Sequence, residues 1–229
     1  MPALFVPAGL AAGALLVVLA LLLRDTDDAP PAVVPGDGTP TLTATPAGTT
    51  TPNPRIFTEA EDVIDAEAFD YRAIITTDAG VIEIDLFEDI APSTVNSFVF
   101  LANEGFFDGL KWHRVVDNFV AQAGDPRSVE GGDPLGIDGP GYETRDEPND
   151  LSNTRGRIAM AKRAGASTFG SQFFINLKDN PALDDANSEE DAFYPFGEVT
   201  AGMEIVDAVA EGDEIQRIEI ESLPKDGGG

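Results

Sequence analysis

The chain contains no cysteine, and among its 229 residues it has a single histidine and only four lysines. The absence of cysteine excludes disulfides, thiolate metal ligands and thiol nucleophiles, although it does not identify a cellular compartment. Asp and Glu number 41 against 14 Lys and Arg, which gives a formal net charge of −27 at pH 7. This charge argues against nucleic acid as a partner, because phosphate binding requires a basic surface. The hydrophobic fraction of 42% is that of a globular protein with a buried core.

The acidic residues are spread along the chain rather than gathered in one tail. A dispersed, lysine-poor acidic surface is typical of a protein that stays soluble at high salt, where repulsion between carboxylates is screened. We therefore predict a halophilic protein, with an acidic secreted-type protein as the alternative.

The N-terminal region divides into an apolar run and a Thr- and Pro-rich stretch. Residues 3–23 carry no charge, and about 21 helical residues cross a hydrocarbon core of about 30 Å. Because no basic leading segment and no small-residue cleavage site are visible, this run predicts an uncleaved transmembrane anchor. Residues 24–57 have no periodicity and predict a disordered stalk or linker. We expect a single-pass protein of the cell membrane whose following domain is extracytoplasmic.

Hydrophobic periodicity indicates a globular domain from about residue 58. The run YRAIITTDAGVIEIDLF predicts a β-hairpin, because apolar and acidic residues alternate after Asp78-Ala79-Gly80. Pro92 opens a predicted helix that ends before Gly105, and the residues spaced for its buried face are Val95, Phe98, Val99 and Ala102.

The rest of the chain predicts further short strands and one more helix. The strands are RIAMA, SQFFINL, residues 193–199 and QRIEIES, and the helix is MEIVDAVA. The segment EDVIDAEAF fits either a strand or a helical turn. Many short strands with two helices predict a mostly β protein, a closed β-barrel with helical caps rather than a parallel α/β sheet.

Several of these segments, in this order, resemble the cyclophilin family of peptidyl-prolyl isomerases. The stretches that carry the resemblance are TVNSFVFLANEGFFDGLKWHRVVDNFVAQAGDP, GRIAMAKR, GSQFFINL, ALDD and PFGEVTAGMEIVDAV. The resemblance spans residues 69–222, and we place an isomerase domain at 58–223 and a flexible tail at 224–229. It implies a closed eight-stranded antiparallel β-barrel capped by two α-helices. It also implies proline-containing polypeptides as partners, with no cofactor and no metal.

The reaction of this family gives a reason for an arginine in an apolar strand pattern. Rotation about an X–Pro bond has a barrier of about 18–20 kcal/mol, because the nitrogen lone pair is shared with the carbonyl group. In the twisted transition state the lone pair returns to nitrogen, so a fixed guanidinium can donate to it and bind that state selectively. The resemblance implies Arg114 as this catalytic donor, with Gln122 and Phe119 as the other catalytic residues. Gln122 would orient the guanidinium or the substrate carbonyl.

The connection after Val116 decides whether Arg114 and Gln122 lie side by side. A two-residue turn at Asp117-Asn118 would pair Arg114 with Ala121, whereas a three-residue loop that includes Phe119 would pair it with Gln122. The residue pattern leaves both registers open, and the resemblance favours the second.

The resemblance also implies a slot for the proline ring and a groove beside it for an extended peptide. In the slot, where Phe119 also lies, the implied substrate-binding residues are Val120, Phe174 and Leu183. In the groove they are Ala161, Lys162 and Gln172. Phe193 is a further implied substrate-binding residue. From the residues alone, the apolar members are equally explained as plain core, and Arg114 as a buried structural ion pair. His113 is best explained as a packed histidine, since isomerisation requires no proton transfer.

The chain departs from the family pattern around the groove. Val120 replaces a usual methionine, Lys162 a frequent asparagine, and Phe193 a histidine or tyrosine. Ala182 stands where the family has a large aromatic on which cyclosporin-type macrocycles rest, so we expect weak or no cyclosporin binding. Residues 185–191 form an acidic segment beside the groove.

Two other functions compete with catalysis. A non-catalytic proline-peptide-binding or chaperone module tethered to the membrane would use the same groove. A cation-binding surface protein would use the loop GGDPLGIDGPG, although its acids lack regular ligand spacing. Retention of Arg114, Phe119 and Gln122 together favours the isomerase.

Overall fold

A computed structural model of the chain describes residues 55–129, 139–184 and 192–225. These residues contain ten β-strands and two α-helices. In chain order they are β1 (Phe69–Thr77), β2 (Gly80–Leu86), α1 (Pro92–Asn103), β3 (Arg114–Val116), β4 (Val120–Ala123), β5 (Thr144–Arg145), β6 (Arg157–Met160), β7 (Thr168–Phe169), β8 (Phe173–Asn176), β9 (Pro195–Ala201), α2 (Met203–Ala208) and β10 (Ile215–Pro224). Short 3-10 turns lie at Pro126–Ser128 and Pro181–Leu183.

Eight of the strands form one antiparallel sheet in the order β10-β1-β2-β9-β6-β8-β4-β3, and β5 pairs with β7 separately. The predicted eight antiparallel strands and two helices are therefore confirmed. Among the described residues, the edge strands β3 and β10 do not pair with each other along their length. The two edges meet where these strands begin: Trp112 N–H donates to the Asp213 carbonyl (2.9 Å), Ile215 N–H donates to that of Leu110 (2.7 Å), and Lys111 and Glu214 form an isolated antiparallel bridge. The sheet is thus a curled half-barrel whose two edges are linked at this short bridge.

The first hairpin follows the predicted alternation. Thr77 pairs with Gly80 across the turn, and the side chains of Ile82, Ile84 and Leu86 are buried while the acidic residues between them are not. The ambiguous segment before it is irregular at residues 61–65 and then makes a single turn at residues 66–68, in which the Phe69 N–H donates to the Asp65 carbonyl (3.0 Å). This agrees with the helical-turn alternative rather than with a strand.

Helix α1 fills the concave side of the sheet. It begins at Pro92, and the carboxylate of Glu147 accepts hydrogen bonds from the first free backbone N–H groups, those of Ser93 (3.0 Å) and Thr94 (2.7 Å). Phe98 on its buried face contacts three aromatic rings at centroid distances of 5.2, 5.6 and 5.4 Å, those of Phe107, Phe173 and Phe196. This packing places the core on one face of strands β4, β6 and β8 and leaves their other face free for a site.

Several predicted features lie outside the described residues: the anchor at 3–23, residues 24–54 of the linker, the acidic segment 185–191, most of the loop GGDPLGIDGPG and the end of the tail. In the part of the chain that the structure describes, no helix has the length and apolar character needed to span a membrane.

Candidate active site

The β3–β4 hairpin brings the two predicted polar catalytic residues together. Arg114 pairs with Gln122 and Val116 with Val120, so the connection is the three-residue loop 117–119. Phe119 N–H donates to the Val116 carbonyl (3.0 Å), and Asn118 adopts a left-handed φ of 53°, which asparagine tolerates better than most residues. The structure therefore selects the register that the resemblance favoured.

Arg114 is held by an amide and an aromatic ring. Its Nη1 donates to Gln122 Oε1 at 3.3 Å, and its guanidinium carbon lies 5.9 Å from the centre of the Phe119 ring. Among the described residues no carboxylate lies within ion-pairing distance of Arg114, so a buried structural ion pair does not explain it.

A row of side chains crosses four strands on the face opposite the core. Arg114 lies opposite Gln122, Gln122 opposite Phe174, and Phe174 opposite Ala159, on β3, β4, β8 and β6 in turn. Because side chains alternate between the two faces of a strand, the neighbours of these residues point into the core instead. Phe173 and Ile175, for example, belong to the main core cluster.

The predicted slot forms a second apolar cluster, separate from the core. Val120, Ala159 and Phe174 are buried in it, and the half-buried residues packed against them are Phe119, Ala161, Leu183 and Phe193. The Phe174 and Phe193 rings meet edge to face at 5.6 Å. These residues are therefore not part of the plain core. Ala159, which the sequence did not single out, forms the floor because its short side chain leaves room above it.

Three buried asparagines support the walls of this slot, and no periodic pattern in the sequence indicates them. Asn180 Nδ2 donates to the Phe119 carbonyl (2.9 Å) and to Asn176 Oδ1 (2.8 Å). Asn176 Nδ2 reaches Asn153 Oδ1 (3.2 Å), and Asn153 Nδ2 donates to the Phe193 carbonyl (2.8 Å). The network ties the two opposite walls to each other, which fixes the width of the slot.

The predicted groove residues line a cleft of about 800 Å³ next to the slot, with Gln122, Ala161, Lys162 and Gln172 in its lining. Ala161 N–H donates to the Gln172 carbonyl at 2.8 Å, so this N–H is already used within the protein. Ala182 lies in the turn Pro181–Leu183 and is exposed beside Leu183.

The charged end of Lys162 is buried, although the residue lies in the lining of the cleft. Its side chain is only 2% exposed, and its Nζ is bonded to Asp146 Oδ2. The ammonium group also lies 5.8 Å and 5.5 Å from the ring centres of Phe193 and Tyr194. This charge therefore supports the Phe193 wall from behind instead of meeting a substrate in the groove.

His113, next to Arg114, is half-buried. Burial lowers its pKa, and the nearby Asp125 carboxylate opposes this effect without cancelling it, so the ring is neutral at pH 7. A neutral, packed ring agrees with a histidine that takes no part in proton transfer.

The half-barrel carries a cleft, an apolar slot and a cationic donor next to each other. These features are typical of a protein that binds extended peptides. Residues 72–224 match the family described as cyclophilin type peptidyl-prolyl cis-trans isomerase/CLD. The chain belongs to this family, and its function is peptidyl-prolyl cis-trans isomerisation.

Individual relatives agree with this assignment. Peptidyl-prolyl cis-trans isomerase B of Bacillus subtilis (strain 168) is 38% identical over 146 residues, 63% of this chain and 93% of that protein. A peptidyl-prolyl cis-trans isomerase of Helicobacter pylori (strain ATCC 700392 / 26695) is 39% identical over 150 residues, 64% of this chain and 84% of that protein. A Cryptosporidium parvum cyclophilin type isomerase, crystallised in the presence of the dipeptide Ala-Pro, superposes with a TM-score of 0.53 at 25% identity. That match covers 65% of this chain and 96% of the C. parvum chain.

The buried Lys162–Asp146 pair generates a stability prediction. We expect Lys162→Met to lower the free energy of unfolding by about 3–5 kcal/mol, because it leaves the Asp146 carboxylate buried and unpaired. The double variant Lys162→Met/Asp146→Asn should lose clearly less than the single one. Urea titrations at constant salt measure both, with the exposed Lys178→Met as the matched control. A single variant as stable as the parent would contradict the buried pair.

Proposed function

We propose that the row from Arg114 to Ala159 is the catalytic centre and that Arg114 donates to the prolyl nitrogen in the twisted transition state. The observation that carries this proposal is the cross-strand register, which puts the guanidinium next to the apolar slot. A proline ring in the slot would bring its nitrogen towards the face of the sheet where the guanidinium lies. One preorganised donor of this kind is worth about 3–4 kcal/mol in the transition state.

The remaining site residues bind the proline ring or orient the guanidinium. The slot residues Val120, Phe174 and Leu183 would bind the ring, and the edge-to-face contact of Phe193 with Phe174 would hold one wall. Gln122 fixes the guanidinium through its Oε1, and the Phe119 ring shields it from water on one side. No covalent intermediate and no proton transfer are required, which suits a chain without cysteine and with a neutral His113.

We propose proline-containing polypeptides as the substrates. A solved relative crystallised with Ala-Pro supports this class, and the cleft beside the slot has room for the residues that flank a proline. A module that only held such peptides would have no need of a donor oriented by a dedicated amide, so the Arg114–Gln122 bond favours catalysis over simple binding.

The location of the domain is also a proposal. We propose that residues 3–23 anchor the chain in the cell membrane by a single pass, with residues 24–57 as a stalk and the isomerase domain outside the cytoplasm. The support is the length and apolar character of the first segment and the Thr- and Pro-rich composition of the second. In that position the enzyme would act on secreted or surface proteins as they fold.

The proposed donor is tested by Arg114→Ala. We expect kcat/KM to fall at least about a hundredfold, the scale of one lost transition-state donor, while peptide binding and thermal stability change little. Protease-coupled isomerisation of a proline peptide at high salt measures the rate, and calorimetric titration with the same peptide measures binding.

Arg217→Ala serves as the control, because this exposed arginine on β10 pairs with Glu219 and lies outside the row that crosses β3, β4, β8 and β6. Gln122→Ala should cost less than Arg114→Ala, since Gln122 acts through orientation. If Arg114→Ala isomerised as fast as the parent, Arg114 would not be the donor.

We further propose that the protein is halophilic, and carboxylate repulsion on the sheet surface supports this. Burial raises the pKa of Asp85, and the neighbouring carboxylates Asp70 and Glu198 add to the rise while Arg72 opposes it. The Debye length grows from about 3 Å at 1 M salt to about 30 Å at 0.01 M salt. Dilution of the salt therefore strengthens the repulsion between these carboxylates.

We therefore expect the melting temperature and the activity to fall as KCl is reduced from molar to millimolar concentration. Scanning calorimetry over that series, with sucrose added to separate general exclusion effects from charge screening, gives the measurement. A melting temperature that stays constant or rises on dilution would refute the halophilic proposal.

The response to cyclosporin follows from the exposed Ala182, for which we propose weak or no binding. A small side chain beside Leu183 offers a macrocycle neither a flat apolar surface nor a hydrogen-bond donor. Loss of an aromatic contact at a binding hot spot costs several kcal/mol, and each 1.4 kcal/mol is tenfold in affinity. We expect Ala182→Trp to restore part of the affinity and to change peptide turnover little. Tight inhibition of the parent chain in the same titration would show that Ala182 does not occupy the macrocycle-binding position.

A further inference from the structure

A chain of hydrogen bonds runs from Arg114 away from the slot and ends at a buried carboxylate. Arg114 Nη1 donates to Gln122 Oε1 (3.3 Å), and Gln122 Nε2 donates to Gln172 Oε1 (2.9 Å). Gln172 Nε2 in turn donates to Asp125 Oδ2 (3.1 Å). Asp125 is only 7% exposed, so its carboxylate meets these protein groups rather than bulk water.

The chemistry of the groups fixes the direction of this chain. An ionised carboxylate can only accept hydrogen bonds, whereas a primary amide accepts at oxygen and donates at nitrogen. Because Asp125 accepts, Gln172 must turn its nitrogen towards it and its oxygen towards Gln122. Gln122 must then turn its nitrogen towards Gln172, which leaves its oxygen facing Arg114. A guanidinium has only donors, so an oxygen is the one end of the amide that can hold it.

Asp125 is itself anchored at the end of β4. Its Oδ1 accepts from the backbone N–H of Arg127 (2.9 Å) and from Arg127 Nε (3.0 Å), and its Oδ2 accepts from Arg127 Nη2 (2.6 Å). The preceding Gly124 has a φ of +89°, and a Cβ there would lie 2.3 Å from the Ser171 carbonyl oxygen. Only glycine fits this approach of β4 to β8, which brings Asp125 within reach of Gln172.

We propose that Asp125 is a positioning residue for catalysis: through Gln172 and Gln122 it sets the hydrogen-bond direction that presents an acceptor to Arg114. This inference rests on the proposed role of Arg114. Asp125 touches neither the slot nor the guanidinium, and its effect depends on the acceptor character of its carboxylate as well as on its shape. The same side chain in amide form would preserve the shape and reverse the direction.

The backbone contact of Asp125 explains why Asp125→Asn reverses the chain. The Arg127 N–H belongs to the fixed backbone and continues to require an oxygen at the δ1 position, so the new NH₂ group occupies the δ2 position and faces Gln172. Arg127 Nη2, which donates to Oδ2 in the parent, must then turn away, and its half-exposed side chain leaves it room to do so. Gln172 must then turn its oxygen to that NH₂ group and its nitrogen to Gln122. Gln122 would in turn present its nitrogen to Arg114, where two donors repel each other.

The experiment is steady-state isomerisation by the full chain at high salt. We expect Asp125→Asn to lower kcat about tenfold or more, the scale of one lost hydrogen bond to a charged group, with KM within about twofold of the parent. Asp207→Asn is the matched control, because Asp207 also holds an arginine, Arg155, in a two-bond pair (2.9 and 2.6 Å), but on the exposed surface of α2. That control should keep the parental kcat.

A second substitution shows whether Asp125→Asn lowers kcat by reversing the hydrogen-bond direction or by damaging the structure. In Asp125→Asn/Gln172→Glu the carboxylate at position 172 accepts from both sides, which turns the Gln122 oxygen back to Arg114. We expect this double variant to recover most of the lost kcat. Gln172→Met interrupts the chain and leaves Gln122 free to keep its oxygen on Arg114, so it should lower kcat less than Asp125→Asn does. It also supplies the test if Asp125→Asn does not fold, because a kcat equal to that of the parent would then overturn the inference.

The possible failures are distinguishable. If Arg114→Ala retains activity, the proposed catalytic role fails together with this inference. If Arg114→Ala is inactive but Asp125→Asn retains the parental kcat, or the double variant recovers nothing, Asp125 does not set the direction and only this inference is overturned. In the Arg114→Ala background, Asp125→Asn should cause no further loss, since its effect passes through Arg114.

Discussion

The alternation of side chains across β4, β6 and β8 is the constraint on which the site depends. Each strand places one residue in the main core and the next in the groove, so the same strands build the fold and the site. A slip of one residue in the β3–β4 register would turn Gln122 into the core and Ala121 into the groove. The loop 117–119 and the left-handed Asn118 therefore matter to function, because they fix that register.

This arrangement suits a reaction in which the protein only has to hold groups in place. The transition state differs from the ground state in the geometry of one bond and the availability of one lone pair. Its catalyst thus needs a rigid slot for the ring and a rigid donor beside it. The asparagine network gives rigidity to the slot by joining the backbones of Phe119 and Phe193, and the glutamine chain gives rigidity to the donor. Gln122 and Asn176 lie on β-strands, and Gln172 immediately precedes β8, where side-chain positions are defined best.

The sequence predicted the parts of this structure that depend on local pattern. Helix α1 and the first hairpin follow from periodicity, and the resemblance to a family indicated Arg114, Gln122 and the slot. The sequence could not predict contacts between segments that are far apart in the chain, because such contacts leave no periodic pattern. The burial of Lys162 against Asp146 was missed because a lysine next to a groove normally reaches solvent. Ala159 was missed because a small residue becomes informative only when its neighbours are known. The extent of pairing between the two sheet edges depends on where β3 and β10 begin and end, and strand ends are the least predictable part of an element.

The large negative charge of the chain gives a reason for a neutral amide, that of Gln122, beside Arg114. In a protein with a formal charge of −27, a groove arginine is at risk of pairing with a carboxylate, and a paired guanidinium is a poorer donor to a substrate nitrogen. The chain places two glutamines between Arg114 and the buried Asp125, and Arg127 already occupies that carboxylate. The two glutamines carry no charge, but they pass on the direction of the hydrogen bonds from Asp125 to Arg114. Arg114 is therefore oriented without being neutralised by a carboxylate. Lys162 differs in this respect, because its ammonium group pairs directly with the Asp146 carboxylate.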